Sequence, residues 1–159
     1  MVECFARTNP EKVPFVKQVI ISMGTNDIKY LRKDNGRNNM ATPGDMNIFY
    51  KPLVNIIKSL RYYFGRNVKI CFQSVLPMRA MYTYTCPNFL NFNCLLQSIC
   101  AEMGCLYLDW FKLFLNDDSS DYNKALFSDW FHLNRAGYSL LHKCLKWAID
   151  CDRYNWLNI

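Results

Sequence analysis

The stretch QVIISMGTND, residues 18–27, decides the fold of this chain. Residues 19–23 form a short, nearly continuous apolar run, typical of a strand that is covered on both faces of a parallel sheet. Gly24 ends the run with a residue that permits a tight turn and a close approach. Asn26 and Asp27 then stand at the carboxyl end of the strand, where open α/β sheets bind ligands. An Asx-type turn, in which both side chains bond their own backbone, fits the same residues.

The rest of the chain alternates helical and strand patterns. The predicted elements after the first strand are a helix from Asp45 to about residue 64, a strand over 67–75, a helix over 88–103 that stops near Gly104, a strand over 105–110, and a final helix capped by Asn134. This order predicts a parallel sheet flanked by helices. We expect one domain over 1–159, with an irregular lead-in over 1–16 that is a loop or a frayed helix, and a tail over 151–159.

The composition indicates the cellular compartment and the state of the cysteines. No apolar run is long enough to cross a bilayer, and the start MVECFARTNP lacks the apolar core of a secretory signal. A reducing, cytoplasmic location is therefore expected. The eight cysteines include no C-x-x-C pair and no histidine at zinc-finger spacing. Buried free thiols are favoured over disulfides, and neither a metal nor a cofactor is expected.

The net charge is +6, and the most concentrated basic stretch is KYLRKDNGRNN, residues 29–39, directly after the Asn-Asp pair. Such a segment could attract an acidic substrate or a phosphate backbone. A solvated basic loop explains it as well, and no RNA-binding signature with interleaved aromatic residues accompanies it. Nucleic acid is thus the weaker of the two interpretations of this segment.

Asp129 and His132 form the second polar group of interest. Three residues apart, they can project to the same side of one turn. A carboxylate beside an imidazole is the orienting half of a catalytic triad, because it selects the tautomer and stabilises the imidazolium. An exposed aspartate next to a backbone-capped histidine is the simpler interpretation of these two residues alone. His142, on the final predicted helix, is expected at the surface.

Taken together, these motifs resemble the SGNH (GDSL-type) hydrolase family. The segment GTND, residues 24–27, follows the buried strand, and DWFHLNRAGY, residues 129–138, opens the final helix. VLPMR, residues 75–79, also resembles the family's segment after its next strand. The similarity extends from about residue 17 to about residue 150.

The resemblance implies a flavodoxin-like three-layer α/β/α sandwich with five parallel strands. It also implies roles: His132 as general base, Asp129 as its orienting partner, Asn26 as a side-chain donor to an oxyanion, and Gly24 as the residue that shapes the turn presenting Asn26. These roles are chemically sensible, since a preorganised amide donor stabilises charge that develops in the transition state. The basic loop over 29–39 and the Tyr/Met-rich loop over 77–88 are expected to border the site.

The chain departs from the family pattern at the nucleophile. The family's G-D-S block, which supplies the serine, is absent, and GDM at 44–46 lacks a serine. Ser74, near a strand end, is the best internal candidate. Ser22 is expected to be buried within its strand, and Ser128 is expected to point away from His132. The nucleophile is therefore unknown.

Loss of the first block has a structural consequence. The strand over residues 18–23 would become an exposed edge, which is an aggregation hazard unless it is covered. The lead-in, a second copy of the chain, or a preceding segment of a longer protein could cover it. We expect the last of these, an N-terminally truncated domain in which Met1 is not the true start.

Three functions are compatible with these observations. The first is an SGNH-type esterase acting on a small acyl ester, close to inert unless a serine is supplied. The second is a non-catalytic binding module, possible for a retroelement-derived domain, with an acidic or nucleic-acid partner. The third is a truncated product that does not fold alone. Whether this chain is an enzyme is thus open at the level of sequence.

Overall fold

Three parallel strands form the sheet: β1 (Gln18–Ile21), β2 (Lys69–Gln73) and β3 (Leu106–Leu108), in the order β1-β2-β3. Ile20 pairs with Cys71, and Cys71 pairs with Leu106. The structure is a computed structural model that describes residues 2–29, 46–77, 85–117, 119, 121–129 and 132–153. The parallel α/β architecture predicted from the sequence is confirmed. The resemblance implied five strands, and the described residues form three.

The described ranges contain five helices beside the sheet: α1 (Val2–Thr8), α2 (Thr25–Lys29), α3 (Tyr50–Phe64), α4 (Thr85–Met103) and α5 (Arg135–Arg153). Short 3-10 turns lie at Val13–Phe15, Asn47–Phe49, Phe111–Phe114 and Lys124–Leu126. Within these described ranges, no helix is long and apolar enough to cross a membrane.

Most predicted elements are present, with shifted ends. β2 and β3 are shorter than the strands predicted over 67–75 and 105–110, because only their central residues pair with a neighbouring strand. The predicted helix stop at Gly104 is confirmed: its φ is +61°, and the Cys105 N–H donates to the Cys100 carbonyl at 2.8 Å. The predicted cap Asp45 lies outside the described residues.

The lead-in to the first strand is partly helical. It contains α1, and the Phe5 ring lies 6.0 Å from the Phe64 ring between centroids. This aromatic contact with α3 gives the short helix a tertiary anchor that helix propensity alone would not supply. The Asx-type turn is not observed either, since Asn26 and Asp27 lie in α2.

Two clusters of buried residues enclose the sheet and make it a three-layer structure. The first joins α3 and α4 to β2 through residues such as Ile57, Phe72, Phe89, Leu96 and Ile99. The second packs α5 against the chain after β3, and its buried members are Trp110, Phe114, Tyr122, Phe127, Leu133, Cys144 and Ala148. Tyr107 contacts the first cluster and its neighbour Leu108 the second, so the two clusters lie on opposite faces.

β1 is only partly buried at each of its four residues. Among the residues that the structure describes, β2 is the only strand that pairs with it, so its outer edge has no described partner. The prediction that Ser22 is buried was wrong. Ser22 is exposed because it follows the last paired residue of this edge strand.

The side chains of six cysteines are described, and all six are free thiols. Cys71, Cys100 and Cys144 are buried, whereas Cys4 and Cys94 are exposed. Burial, with smaller contributions from Cys105 and Cys71, raises the pKa of Cys100 to about 12. Desolvation disfavours the thiolate, which is the reactive form.

We therefore expect the rate of thiol alkylation to be high at the exposed cysteines and low at the buried ones. With a raised pKa, Cys100 gains thiolate only as the pH approaches about 12, so at pH 8 its thiolate fraction is on the order of one in ten thousand. Iodoacetamide should modify Cys4 and Cys94 quickly and Cys100 only after unfolding, as read by peptide mass mapping with and without urea. Equal rates at Cys94 and Cys100 in the native state would contradict the described packing of α4.

Candidate active site

Gly24 makes the turn at the end of β1. Its φ is +105°, and a Cβ built on it would lie 2.5 Å from Phe92 Cε1 and 3.1 Å from Val75 Cγ2. Only glycine combines this backbone conformation with so close an approach of an aromatic ring. The Phe92 ring therefore packs directly on the backbone at which β1 stops.

α2 begins at this turn and presents Asn26. The Ile28 N–H donates to the Gly24 carbonyl at 3.0 Å, and the Ile28 side chain is buried. Asn26 and Asp27, on the other side of this single helical turn, are exposed. The placement leaves the Asn26 amide accessible at the carboxyl edge of the sheet.

An apolar pocket of about 270 Å³ borders the same turn. Its lining residues are Met23, Asp27, Ile48, Phe49, Pro52, Leu53 and Phe92. Sequence reasoning did not find it, because it forms where the segment after β1, α2, the Asn47–Phe49 turn, α3 and α4 meet. The loops predicted to border the site lie largely outside the described residues, over 30–45 and 78–84.

Ser74 is placed at the end of β2 but is fully buried. Its N–H donates to the Leu108 carbonyl at 2.9 Å, and its Oγ accepts a hydrogen bond from the Trp110 N–H at 3.0 Å. The hydroxyl thus joins the ends of β2 and β3. This geometry does not offer Ser74 to a substrate.

Asp129 and His132 are brought together in the turn before α5. Asp129 Oδ2 lies 2.7 Å from His132 Nδ1, and Asp129 Oδ1 accepts from the His132 backbone N–H at 2.8 Å. A carboxylate can only accept a hydrogen bond, so in the neutral form of the ring this contact favours the tautomer with the proton on Nδ1 and the lone pair on Nε2. The pair is largely exposed, and such a pair contributes little to stability. A carboxylate at this distance can orient an imidazole ring and select its tautomer.

The backbone of this turn is held by hydrogen bonds on both sides of the pair. The Ser128 N–H and hydroxyl both donate to the His132 carbonyl, at 2.9 and 3.1 Å. Leu133, the next residue, is buried in the cluster that contains Trp110, which closely follows the β3 end. The turn is therefore anchored at the carboxyl edge of the sheet, the edge at which Asn26 also lies.

Asn134 caps the final helix, as predicted, and its side chain also makes a second set of hydrogen bonds. Its Oδ1 accepts from the N–H groups of Ala136 and Gly137, at 2.8 and 3.1 Å, as a helix cap. Its Nδ2 donates to the carbonyls of Ala125 and Phe127, at 2.8 and 3.3 Å. One side chain thus ties the start of α5 to the segment before the Asp-His pair.

Neither of the two exposed serines considered as nucleophiles is bonded to the histidine ring. Ser22 Oγ accepts from Gln73 Nε2, and the Ser128 hydroxyl donates to the His132 backbone carbonyl. In the described part of the chain, no serine hydroxyl is hydrogen-bonded to His132 Nε2. The nucleophile is therefore not identified among these residues.

Similar folds occur among solved structures. A candidate platelet activating factor from Streptococcus pneumonia has a TM-score of 0.65, with 22% identity over 82% of this chain. A candidate acylhydrolase from Bacteroides fragilis has a TM-score of 0.63, with 17% identity over 95% of it. The acetyl xylan esterase AlAXEase has a TM-score of 0.68, with 17% identity over 93%. The chain has the fold of these proteins.

The resemblance to SGNH hydrolases is thereby confirmed at the level of the fold. The chain spans 58% of the Streptococcus protein, 68% of the Bacteroides protein and 74% of the esterase. No protein-family model matches the sequence, and no curated protein matches it. At these identities the likeness shows the fold alone. Any role for an individual residue has to be argued from the geometry of the site.

Gly24→Ala should lower the free energy of unfolding by about 2–4 kcal/mol, because it combines backbone strain with overpacking against Phe92. Gly65→Ala is the matched control. Gly65 also has a positive φ, +91°, but no atom lies within 4 Å of the point that a Cβ there would occupy. It should show the strain cost alone in urea unfolding, and Phe92→Leu should recover part of the loss in Gly24→Ala. Equal losses at both glycines would contradict the role of the Phe92 contact.

Asn134→Ala should cost about 2 kcal/mol, since it removes both the cap and the bonds to the Ala125 and Phe127 carbonyls. Asn134→Ser keeps a capping oxygen but cannot reach those carbonyls, so about half of the loss should remain. Urea unfolding of the two variants separates the contributions. If serine were as destabilising as alanine, capping would have no part in holding this turn.

Proposed function

We propose that this chain is an acyl-ester hydrolase domain of the SGNH type, with His132 as its general base. The observation that carries the proposal is the 2.7 Å contact between Asp129 Oδ2 and His132 Nδ1. It leaves Nε2 as a proton acceptor on an exposed ring. Support also comes from the fold, which this chain shares with a candidate acylhydrolase and an acetyl xylan esterase.

In this proposal each residue transfers a proton or stabilises a charge that forms during ester hydrolysis. His132 Nε2 takes the proton of the attacking hydroxyl and later returns it to the leaving alcohol. Asp129 stabilises the imidazolium formed in between. The Asn26 amide N–H donates to the oxyanion of the tetrahedral intermediate, and Gly24 allows the turn that places it.

The attacking oxygen is the open element of the mechanism. Ser74 is buried, and both Ser22 and Ser128 are engaged in other hydrogen bonds. We infer that it belongs to a group outside the described serines, either a serine elsewhere in the polypeptide or a water molecule. A water activated by His132 would hydrolyse the ester without a covalent intermediate, whereas a serine would pass through an acyl-enzyme.

The pocket beside Gly24 supports a small acyl ester as the substrate class. Its volume of about 270 Å³ and its Met, Phe and Leu lining suit a short apolar acyl group. Its position next to α2 would bring the carbonyl of that group within the region of the Asn26 amide. Acetyl esters and short acyl esters are the first substrates to test.

His132→Ala should reduce hydrolysis of p-nitrophenyl acetate by a factor on the order of 10²–10⁴, the usual contribution of a positioned general base. Asn26→Ala should reduce it by a factor of about 10²–10³, as expected for one oxyanion donor. Asp129→Asn should lower kcat while leaving the fold intact, since it removes the acceptor that sets the tautomer.

His142→Ala is the matched control, because this histidine is exposed and has no assigned role. A fluorophosphonate probe applied in parallel separates the two nucleophiles: labelling that requires His132 identifies a serine, and turnover without labelling identifies water. A cooperatively folding chain with neither activity would overturn the proposal for this chain and support the non-catalytic binding module.

A further inference from the structure

The positive charge of this chain is distributed very unevenly. Residues 46–101 contain no aspartate or glutamate, although the whole chain has 13 acidic residues. The basic residues of this segment are Lys51, Lys58, Arg61, Arg66, Lys69 and Arg79. Basic and acidic residues elsewhere are equal in number, so the segment accounts for the entire net charge of +6.

Part of this charge converges on a groove at the carboxyl-terminal end of α3. The groove has a volume of about 490 Å³ and is lined by Lys58, Arg61, Tyr62 and Arg66, here called the α3 groove. Lys58, Arg61 and Tyr62 share one face of the helix because they are spaced by three and four residues. Arg66 follows the helix end and also lines the groove.

Structural roles explain only one of the three cations. Arg61 Nη2 donates to the carbonyls of Met103 and Gly104, so this guanidinium satisfies the end of α4. Lys58 and Arg66 are exposed, and no acidic side chain of the described residues pairs with either. Two uncompensated cations thus flank a third that is held rigidly.

Tyr62 adds an aromatic surface between these charges. Its side chain is 81% exposed, an unusual position for a ring of this size. Tyr63 packs edge-on against it, with centroids 5.0 Å apart and an interplanar angle of 86°, which restricts the ring while leaving a face open. Cations beside an open aromatic face are the combination by which proteins bind single-stranded nucleic acid.

We propose that the α3 groove binds single-stranded nucleic acid, with Lys58 and Arg66 on the phosphates and a base stacked on Tyr62. The groove is concave, and its exposed aromatic group is a single ring flanked by charge, whereas a membrane-binding helix would present a broad apolar face. Arg66 lies between α3 and the start of β2, at the amino end of the sheet. The groove is therefore at the end opposite Asn26 and does not depend on the hydrolase proposal.

The test is fluorescence anisotropy of a short labelled oligothymidylate across a series of salt concentrations. Lys58→Glu/Arg66→Glu should weaken binding at least tenfold and reduce the slope of log K against log salt by about 1.4, for two lost contacts to single-stranded phosphates. Tyr62→Ala should weaken binding by roughly tenfold through lost stacking, whereas Tyr62→Phe should retain it. Equal affinities of the Ala and Phe variants would overturn the stacking arrangement.

Lys112→Glu/Lys143→Glu makes the same charge change at exposed residues on the other side of the sheet. This control variant should keep most of the affinity for the oligothymidylate. If it lost as much affinity as the Lys58→Glu/Arg66→Glu variant, net charge alone would explain the effect and the proposed site would be wrong. Displacement of the oligothymidylate by millimolar inorganic phosphate would also overturn the proposal. Equal binding of phosphatidylserine vesicles, unchanged in the Tyr62→Ala variant, would overturn it as well. Thermal melts check each fold, and Lys58→Gln/Arg66→Gln replaces the Glu pair if that pair melts early.

Discussion

Buried polar groups close the carboxyl edge of the sheet, and the position of the candidate site depends on them. Ser74 connects the ends of β2 and β3 through the Leu108 carbonyl and the Trp110 N–H. Asn93, on α4, pairs through its side-chain amide with both backbone groups of Val75, at 2.8 and 3.2 Å. Backbone groups left unpaired here would each cost free energy comparable to a lost hydrogen bond. Because these backbone groups are hydrogen-bonded, the strands can end together at one edge of the sheet, here called the rim.

Two elements extend from this rim and carry the side chains of the proposed chemistry. One is α2, which starts where Phe92 packs on Gly24. The other is the turn that holds Asp129 and His132, anchored by Leu133 and by the two-sided bonding of Asn134. Both polar groups are exposed, so their own interactions stabilise the fold little. Their geometry is set by buried neighbours, which is why the strongest stability effects are expected at Gly24 and Asn134.

Much of the fold was predictable because its signals are local. The apolar run before Gly24, the helical spacing in α3 and the capping residue Asn134 each specify one element without reference to distant residues. The spacing of Asp129 and His132 likewise predicts a contact within one turn. Ser22 and Ser74 could not be placed in this way. Their burial depends on which strands lie alongside: Ser22 follows the paired part of an edge strand, and Ser74 is covered by the chain after β3.

The amino-acid sequence by itself therefore determined the α/β class, the order of the main elements and the identity of the Asp-His pair, since these follow from periodicity and short spacing. Only the tertiary structure decided that Ser74 is a buried connector, that an apolar pocket borders Gly24, and that Lys58, Tyr62 and Arg66 share one groove. These features join residues from separate elements or depend on what covers them. Their physical origin is packing, which a one-dimensional pattern does not contain.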